Sequence, residues 1–125
     1  MKEEHVAYLE TTYPKIFQGK YGGFAVGDGW FDLLQTTCQL IQSHCNWKQE
    51  CPQVVAAQVK EKFGSLRFYY DGGDDYISGV VALAESLSGH LCEECGKPGK
   101  SGGSGWISTL CDEHRAARET SQNEN

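Results

Sequence analysis

An α+β fold is predicted for this chain of 125 residues: a small antiparallel β-hairpin packed by helices, with a separate module rich in Cys and Gly at the C-terminal end. Three observations carry the prediction. Trp30, Leu34, Cys38, Ile41 and Cys45 recur at intervals of four, four, three and four, laying one apolar stripe along a helix. Residues 54–59 and 66–70 are rich in β-branched and aromatic side chains, and the link between them is too short for a parallel crossover, so they read as a hairpin. Ile77, Val80, Val81, Ala84 and Leu87 return to the helical period directly after Asp71-Gly72-Gly73-Asp74-Asp75, a cluster suited to capping a helix.

The remaining elements follow in chain order. Residues 3–13 form a short helix that stops at Pro14. Between 15 and 29 the glycines at 19, 22, 23, 27 and 29 exclude regular helix and leave loop with a short extended piece at 21–26. Gly27-Asp28-Gly29 then starts the long helix, with Asp28 or Asp32 near its positive end. In the second strand, alternation puts Leu66, Phe68 and Tyr70 on one face and Arg67 and Tyr69 on the other. Gly89 ends the following helix. Residues 1–90 are therefore expected to form the core and 91–118 a module packed on it without a flexible linker. Residues 119–125, polar and without an apolar anchor, are expected to fray.

Composition narrows the function classes. With 39% hydrophobic and 11% aromatic residues, the chain can bury a core as one domain. No stretch is apolar enough to span a bilayer, and the start, Met1-Lys2-Glu3-Glu4-His5, is polar, so a cytoplasmic protein is expected. A net charge of −6 opposes sequence-independent attraction to phosphate backbones.

The strongest chemical signal is Cys92, Cys95, Cys111 and His114 in a C-x2-C-x15-C-x2-H pattern. Each pair has the spacing that lets two side chains converge on one ion, and the intervening stretch is long enough to return the chain to it. Without secretory features, such pairs point to Zn²⁺ rather than to disulfides. Gly96 suits the turn after the first pair, residues 97–110 read as a glycine-rich hairpin, and 111–118, acidic first and basic later, read as a helix bearing the second pair. Four protein ligands close the coordination shell, so the ion is expected to be structural. The spacing leaves open whether His90 stands in for His114.

Knuckle, hairpin and ligand-bearing helix occur in that order in treble-clef zinc fingers, which residues 90–118 resemble. A nuclease of that type would need a catalytic His near the hairpin and a further metal ligand on the helix, and neither is present. Over residues 27–115, Gly27-Asp28-Gly29-Trp30-Phe31, Val59-Lys60-Glu61-Lys62-Phe63-Gly64-Ser65-Leu66-Arg67-Phe68-Tyr69 and the finger resemble a family of small proteins from bacteria and their phages. That resemblance implies a soluble intracellular protein encoded by a mobile element, and no activity.

Other chemistry-bearing residues carry weaker signals. Cys38, Cys45 and Cys51 fit no metal spacing and read as core packing. His44 and Cys45, adjacent on a helix, point about 100° apart and would not meet at one atom. Asp71, Asp74 and Asp75, with Asp28 or Asp32, have the composition of a Mg²⁺ site, but equally that of turns and caps. With no nucleophile elbow and no phosphate loop, no catalytic residue is expected. Trp106 and Phe63 are the candidate contacts for a protein partner. Lys60, Lys62 and Arg67, flanked by aromatics, are the candidate contacts for nucleic acid, which the net charge disfavours. The leading expectation is a zinc-stabilised protein-interaction module that inhibits or modulates a host or defence protein. A nucleic-acid-binding accessory protein comes second, and a small metal-dependent hydrolase third.

Overall fold

The computed structural model describes residues 1–123 and has an α+β architecture. Its elements are α1 (Glu3–Thr12), β1 (Phe24–Ala25), α2 (Phe31–Trp47), β2 (Val55–Lys62), β3 (Ser65–Asp71), α3 (Asp75–Ser88), β4 (Lys100–Gly102), β5 (Ser108–Leu110) and α4 (Asp112–Asn123), with a 3₁₀ turn, Asp28–Trp30, leading into α2. No helix among the described residues is long and apolar enough to cross a membrane.

The β2–β3 hairpin is the centre of the core. Its strands extend further than their β-rich segments suggest, pairing as far as Lys62 with Ser65, so the expected six-residue link shrinks to the two-residue turn Phe63-Gly64. Both turn residues have positive φ, 54° and 81°, the conformation whose twist matches that of the flanking strands. Glycine accepts it freely, but phenylalanine does not.

β1 joins the sheet in parallel with β2, pairing Phe24 with Val59 and Ala25 with Lys60. A parallel pair needs a long crossover, and α2 supplies it. The expected stripe on α2 is buried at Trp30, Leu34, Cys38 and Ile41, in one cluster with Val59, Leu66 and Phe68 from the sheet and Ile77, Val81 and Ala84 from α3. Leu87, assigned to the same apolar set, lies exposed at the end of α3. α3 also covers the free edge of β3: the Leu66 amide donates to Ser88 Oγ at 2.8 Å and the Phe68 amide to Glu85 Oε2 at 2.9 Å. These bonds occupy N–H groups that would otherwise invite another strand.

The C-terminal module is a second, smaller unit with its own apolar cluster of Cys92, Leu110 and Cys111. β4 and β5 form its antiparallel hairpin, pairing Ser101 with Thr109. α4 runs past the expected end at 118 as far as Asn123, while residues 124 and 125 of the expected frayed end lie outside the described residues.

Two glycines seat this module on the core. The Gly29 amide donates to the Glu93 carbonyl at 2.7 Å, the Gly27 amide to Glu93 Oε2 at 2.8 Å, and Trp30 Nε1 to the Leu91 carbonyl at 2.9 Å. A Cβ at Gly29 would stand 2.2 Å from the Cys92 carbonyl oxygen and 2.6 Å from the Cys95 amide, and one at Gly27 would stand 2.4 Å from the Glu93 carbonyl. Gly29→Ala is therefore expected to destabilise the protein by about 2 kcal/mol or more, through overpacking against backbone that cannot yield. Gly79→Ala, in α3 with open space around it, is expected to stabilise by about 0.5–1 kcal/mol. Urea unfolding midpoints of the two variants check both signs.

Candidate metal centre

Knuckle and helix bring Cys92, Cys95, Cys111 and His114 together, with one donor atom from each lying within 4.8 Å of all the others. The edges of the cluster are Cys95 Sγ to Cys111 Sγ, 3.8 Å; Cys92 Sγ to His114 Nδ1, 3.6 Å; and Cys111 Sγ to His114 Nδ1, 3.3 Å. With metal–sulfur bonds of about 2.3 Å and metal–nitrogen bonds of about 2.0 Å, a tetrahedral zinc site has S···S edges near 3.8 Å and S···N edges near 3.5 Å. The donor set fits such a metal. All of the cysteines are free thiols, and 3.8 Å is far beyond a disulfide bond.

The local chain explains the convergence. Gly96, at φ 79°, turns the backbone after Cys95, and its amide donates to the Cys92 carbonyl at 2.8 Å. Cys111 immediately precedes α4, so His114 follows one turn later, and its own amide approaches Cys111 Sγ at 3.5 Å. Burial pushes the Cys92 thiol up, but the backbone amides of Cys111, Cys95 and Glu94 together outweigh it and bring it down to about 7. A thiolate ligand is thereby favoured near neutral pH.

The residues that orient the ligands carried no signal of their own in the sequence. Glu94 Oε2 lies 3.6 Å from His114 Nε2, the nitrogen turned away from the sulfurs, and Arg118 holds the other Glu94 oxygen at 3.2 Å. A carboxylate behind a ligating imidazole fixes ring orientation and raises its basicity. Arg115 donates to three backbone carbonyls, those of Gly102 at 2.9 Å, Lys100 at 2.6 Å and Ser108 at 3.1 Å, tying α4 to the β4–β5 hairpin. His90 is exposed and stands outside the donor group.

Other sequence candidates separate. Asp28 binds the N-terminal segment, accepting from the Lys2 amide at 3.0 Å and lying 2.7 Å from His5 Nδ1. Asp71 and Asp75 are exposed. The trio of Asp71, Asp74 and Asp75 thus does not gather around one ion. Only Asp74 enters a donor group, with His44 and Cys51, and this is the second of two such groups among the described residues. Cys38 is core, its thiol pushed up to about 12 by burial. Cys51, also read as core packing, is buried but has polar neighbours: burial first, then Cys45 and Asp74, raise its thiol to about 11 when no cation faces it.

The candidate contact residues fall on one end of the molecule. Phe63 and Trp106 are among the most exposed large apolar side chains, at 67% and 73%. They line a single cavity of about 200 Å³ with Lys60, Glu61, Lys62, Gly105 and Ile107. Lys60 pairs directly with Arg67 across the β2–β3 ladder. Arg115→Ala is expected to cost about 2 kcal/mol or more, because three acceptors lose a charged donor at once. Faster amide hydrogen exchange confined to residues 100–110 and α4 would be the matching local signature.

Comparison of the chain with protein-family models, with curated proteins and with solved structures finds no match.

Proposed function

We propose that this chain is a zinc-stabilised protein-interaction module. Its ion is structural, its C-terminal unit is a treble-clef-like finger, and its contact face is the cavity between the Phe63 turn and the Trp106 loop. The observation that carries this reading is Phe63 itself. A bulky aromatic occupies a left-handed turn position where Asn, Asp or Gly is the usual choice, at a cost of about 1 kcal/mol or more, yet it stays exposed beside exposed Trp106. Strain kept for a side chain that the core does not use points to work done at the surface.

The ion and this face are mechanically connected. Thr109 Oγ1 donates to the Gly64 carbonyl, and a Cβ at Gly64 would stand 3.1 Å from Thr109 Oγ1 and 3.3 Å from Ile107 Cγ2, so β5 seats the turn that presents Phe63. β5 leads directly into Cys111. Holding the finger closed therefore holds the cavity wall in place. In the bacterial and phage context that the sequence resemblance implies, the partner is a host or defence protein that the module blocks.

A second reading, nucleic-acid binding, has one observation in its favour. Lys60 and Arg67 stand opposite each other with Lys62 and exposed Tyr69 nearby, and Arg67 Nε is buried without a hydrogen-bond partner. Like charges directly opposite are destabilising until an anion meets them. Against it, Arg115 and Arg118 are already engaged within the finger. Tight, steeply salt-dependent binding of single-stranded DNA, with no protein captured from bacterial lysate, would reverse the order.

One equivalent of Zn²⁺ is expected to survive exhaustive dialysis of the purified protein and to be lost in Cys92→Ser, with elemental analysis as the measurement. Stripping it with a chelator is expected to abolish protection of α4 and the β4–β5 hairpin, since the ion supplies on the order of 10 kcal/mol to such a unit. Phe63→Asn is expected to raise stability by about 0.5–1 kcal/mol while lowering capture of the lysate partner at least tenfold, as Trp106→Ala also should. Undiminished capture by both variants would place the contact face elsewhere.

A further inference from the structure

Away from the finger, three side chains converge that no pattern in the sequence connects. His44 near the end of α2, Cys51 in the loop before β2, and Asp74 at the N-cap of α3 bring one donor atom each within 4.8 Å of the other two. His44 Nε2 and Asp74 Oδ2 are 2.7 Å apart. We propose that this cluster is a second metal site, for a divalent ion of borderline softness such as Zn²⁺, with one thiolate, one imidazole and one carboxylate as ligands.

Each donor is positioned by a further contact at another atom, while His44 Nε2 and Asp74 Oδ2 hydrogen-bond each other and would part to about 3.4 Å around an ion. The His44 ring stacks on Tyr76, with centroids 4.2 Å apart and planes 19° apart. Asp74 spends Oδ1 on the Ile77 amide, the helix cap, and turns Oδ2 to His44. Cys51 is fixed by the chain that follows it: the Gly73 amide donates to the Pro52 carbonyl at 2.9 Å, and the left-handed Gly72 packs so closely that a Cβ there would stand 2.2 Å from the Gln53 carbonyl. The 52–53 segment and the 72–73 turn are therefore locked together, and with them the thiol and the carboxylate. The Cys51 thiol and the Asp74 carboxylate also face each other directly, so the three side chains form one connected group.

The chemistry of the set selects the ion. Thiolate and imidazole favour zinc-like metals, whereas a lone carboxylate is too few oxygens for Ca²⁺ or Mg²⁺. Three protein donors leave one tetrahedral position vacant, and the cluster borders an open cavity of about 400 Å³ whose wall also carries Lys48, Glu50 and Asp75. That coordination belongs to an exchangeable or reactive zinc rather than a closed structural one. Cys45 Sγ stands 3.9 Å from Cys51 Sγ but outside the donor group, so it borders the site without completing it.

The test is equilibrium dialysis of the full chain against micromolar free Zn²⁺ in a reductant that does not bind metal, followed by elemental analysis. Wild type is expected to hold two equivalents, of which exhaustive dialysis removes one. Cys51→Ser and His44→Gln, each close to isosteric, are expected to retain the finger's equivalent and to bind the second at least tenfold more weakly. With Co²⁺ as the probe, the second equivalent is expected to add sulfur-to-metal charge-transfer absorbance in wild type and none in Cys51→Ser. One equivalent in wild type, or a second that persists in both variants, would overturn the proposal. The wild-type stoichiometry decides the matter even if a variant does not fold.

Discussion

The contact on which the rest of this structure depends is a largely backbone-to-backbone seat: the 3₁₀ turn Asp28–Trp30, with Gly27 at its N-cap, lies directly on the knuckle that carries Cys92 and Cys95. No side chain fits at position 29, since Gly29 lies against the Cys92 carbonyl and the Cys95 and Gly96 amides with no space for a methyl group. Glu93 reinforces the seat from the module side, giving its carbonyl to Gly29 and its carboxylate to Gly27. Burial raises that carboxyl, while the Gly27 amide partly offsets the rise. Because Trp30 closes the same seat with its indole N–H and is fully buried at the head of α2, the core helix and the finger share a boundary rather than a tether.

That shared boundary gives a small finger leverage over a distant turn. A module with only Cys92, Leu110 and Cys111 in its apolar cluster has far too little burial to offset the entropy of ordering some thirty residues. An ion on the Cys92–Cys95–Cys111–His114 donors, as proposed, would supply that free energy. Once ordered, β5 reaches across to Gly64, and the strained Phe63 turn is held between its own strands and the finger. The strain stays local because both sides of the turn are over-determined.

Much of this was legible from the residues, for identifiable reasons. The Cys92 to His114 donors announce themselves because each ligand pair has only two residues between its members, so local spacing encodes the geometry. The stripes on α2 and α3 are legible because burial imposes the helical period. By contrast, His44, Cys51 and Asp74 are brought together by tertiary packing alone, and each has an ordinary local explanation: a helix end, a small buried residue, a cap. The Phe63-Gly64 turn was hidden because Lys60, Glu61 and Lys62 are poor β formers and cross-strand pairing overrides that preference. The parallel strand β1, two residues long, is too short for any periodicity, and its glycine-rich surroundings mask it. Gly27 and Gly29 looked like a loop and a helix start, although their absent side chains serve a partner more than sixty residues away.

The two donor groups lie toward opposite ends of α2, with Trp30 beside the finger and His44 near the other end. Fourteen residues of helix separate those positions by roughly 20 Å, more than twice the screening length at physiological salt. Direct repulsion between two bound dications is therefore weak, and what couples the groups must pass through packing. α2 is the shared element, for its buried face, Leu34, Cys38 and Ile41, belongs to the one cluster that also holds Ile77 of α3. The His44–Cys51–Asp74 group needs α2, α3 and the 52–53 loop in register, a condition set by that core and not by the finger. If both groups bind metal as proposed, loss of the ion at Cys92, Cys95, Cys111 and His114 would unravel β4, β5 and α4 while leaving the second group in place, and the two sites would respond to metal depletion as separate events on one chain.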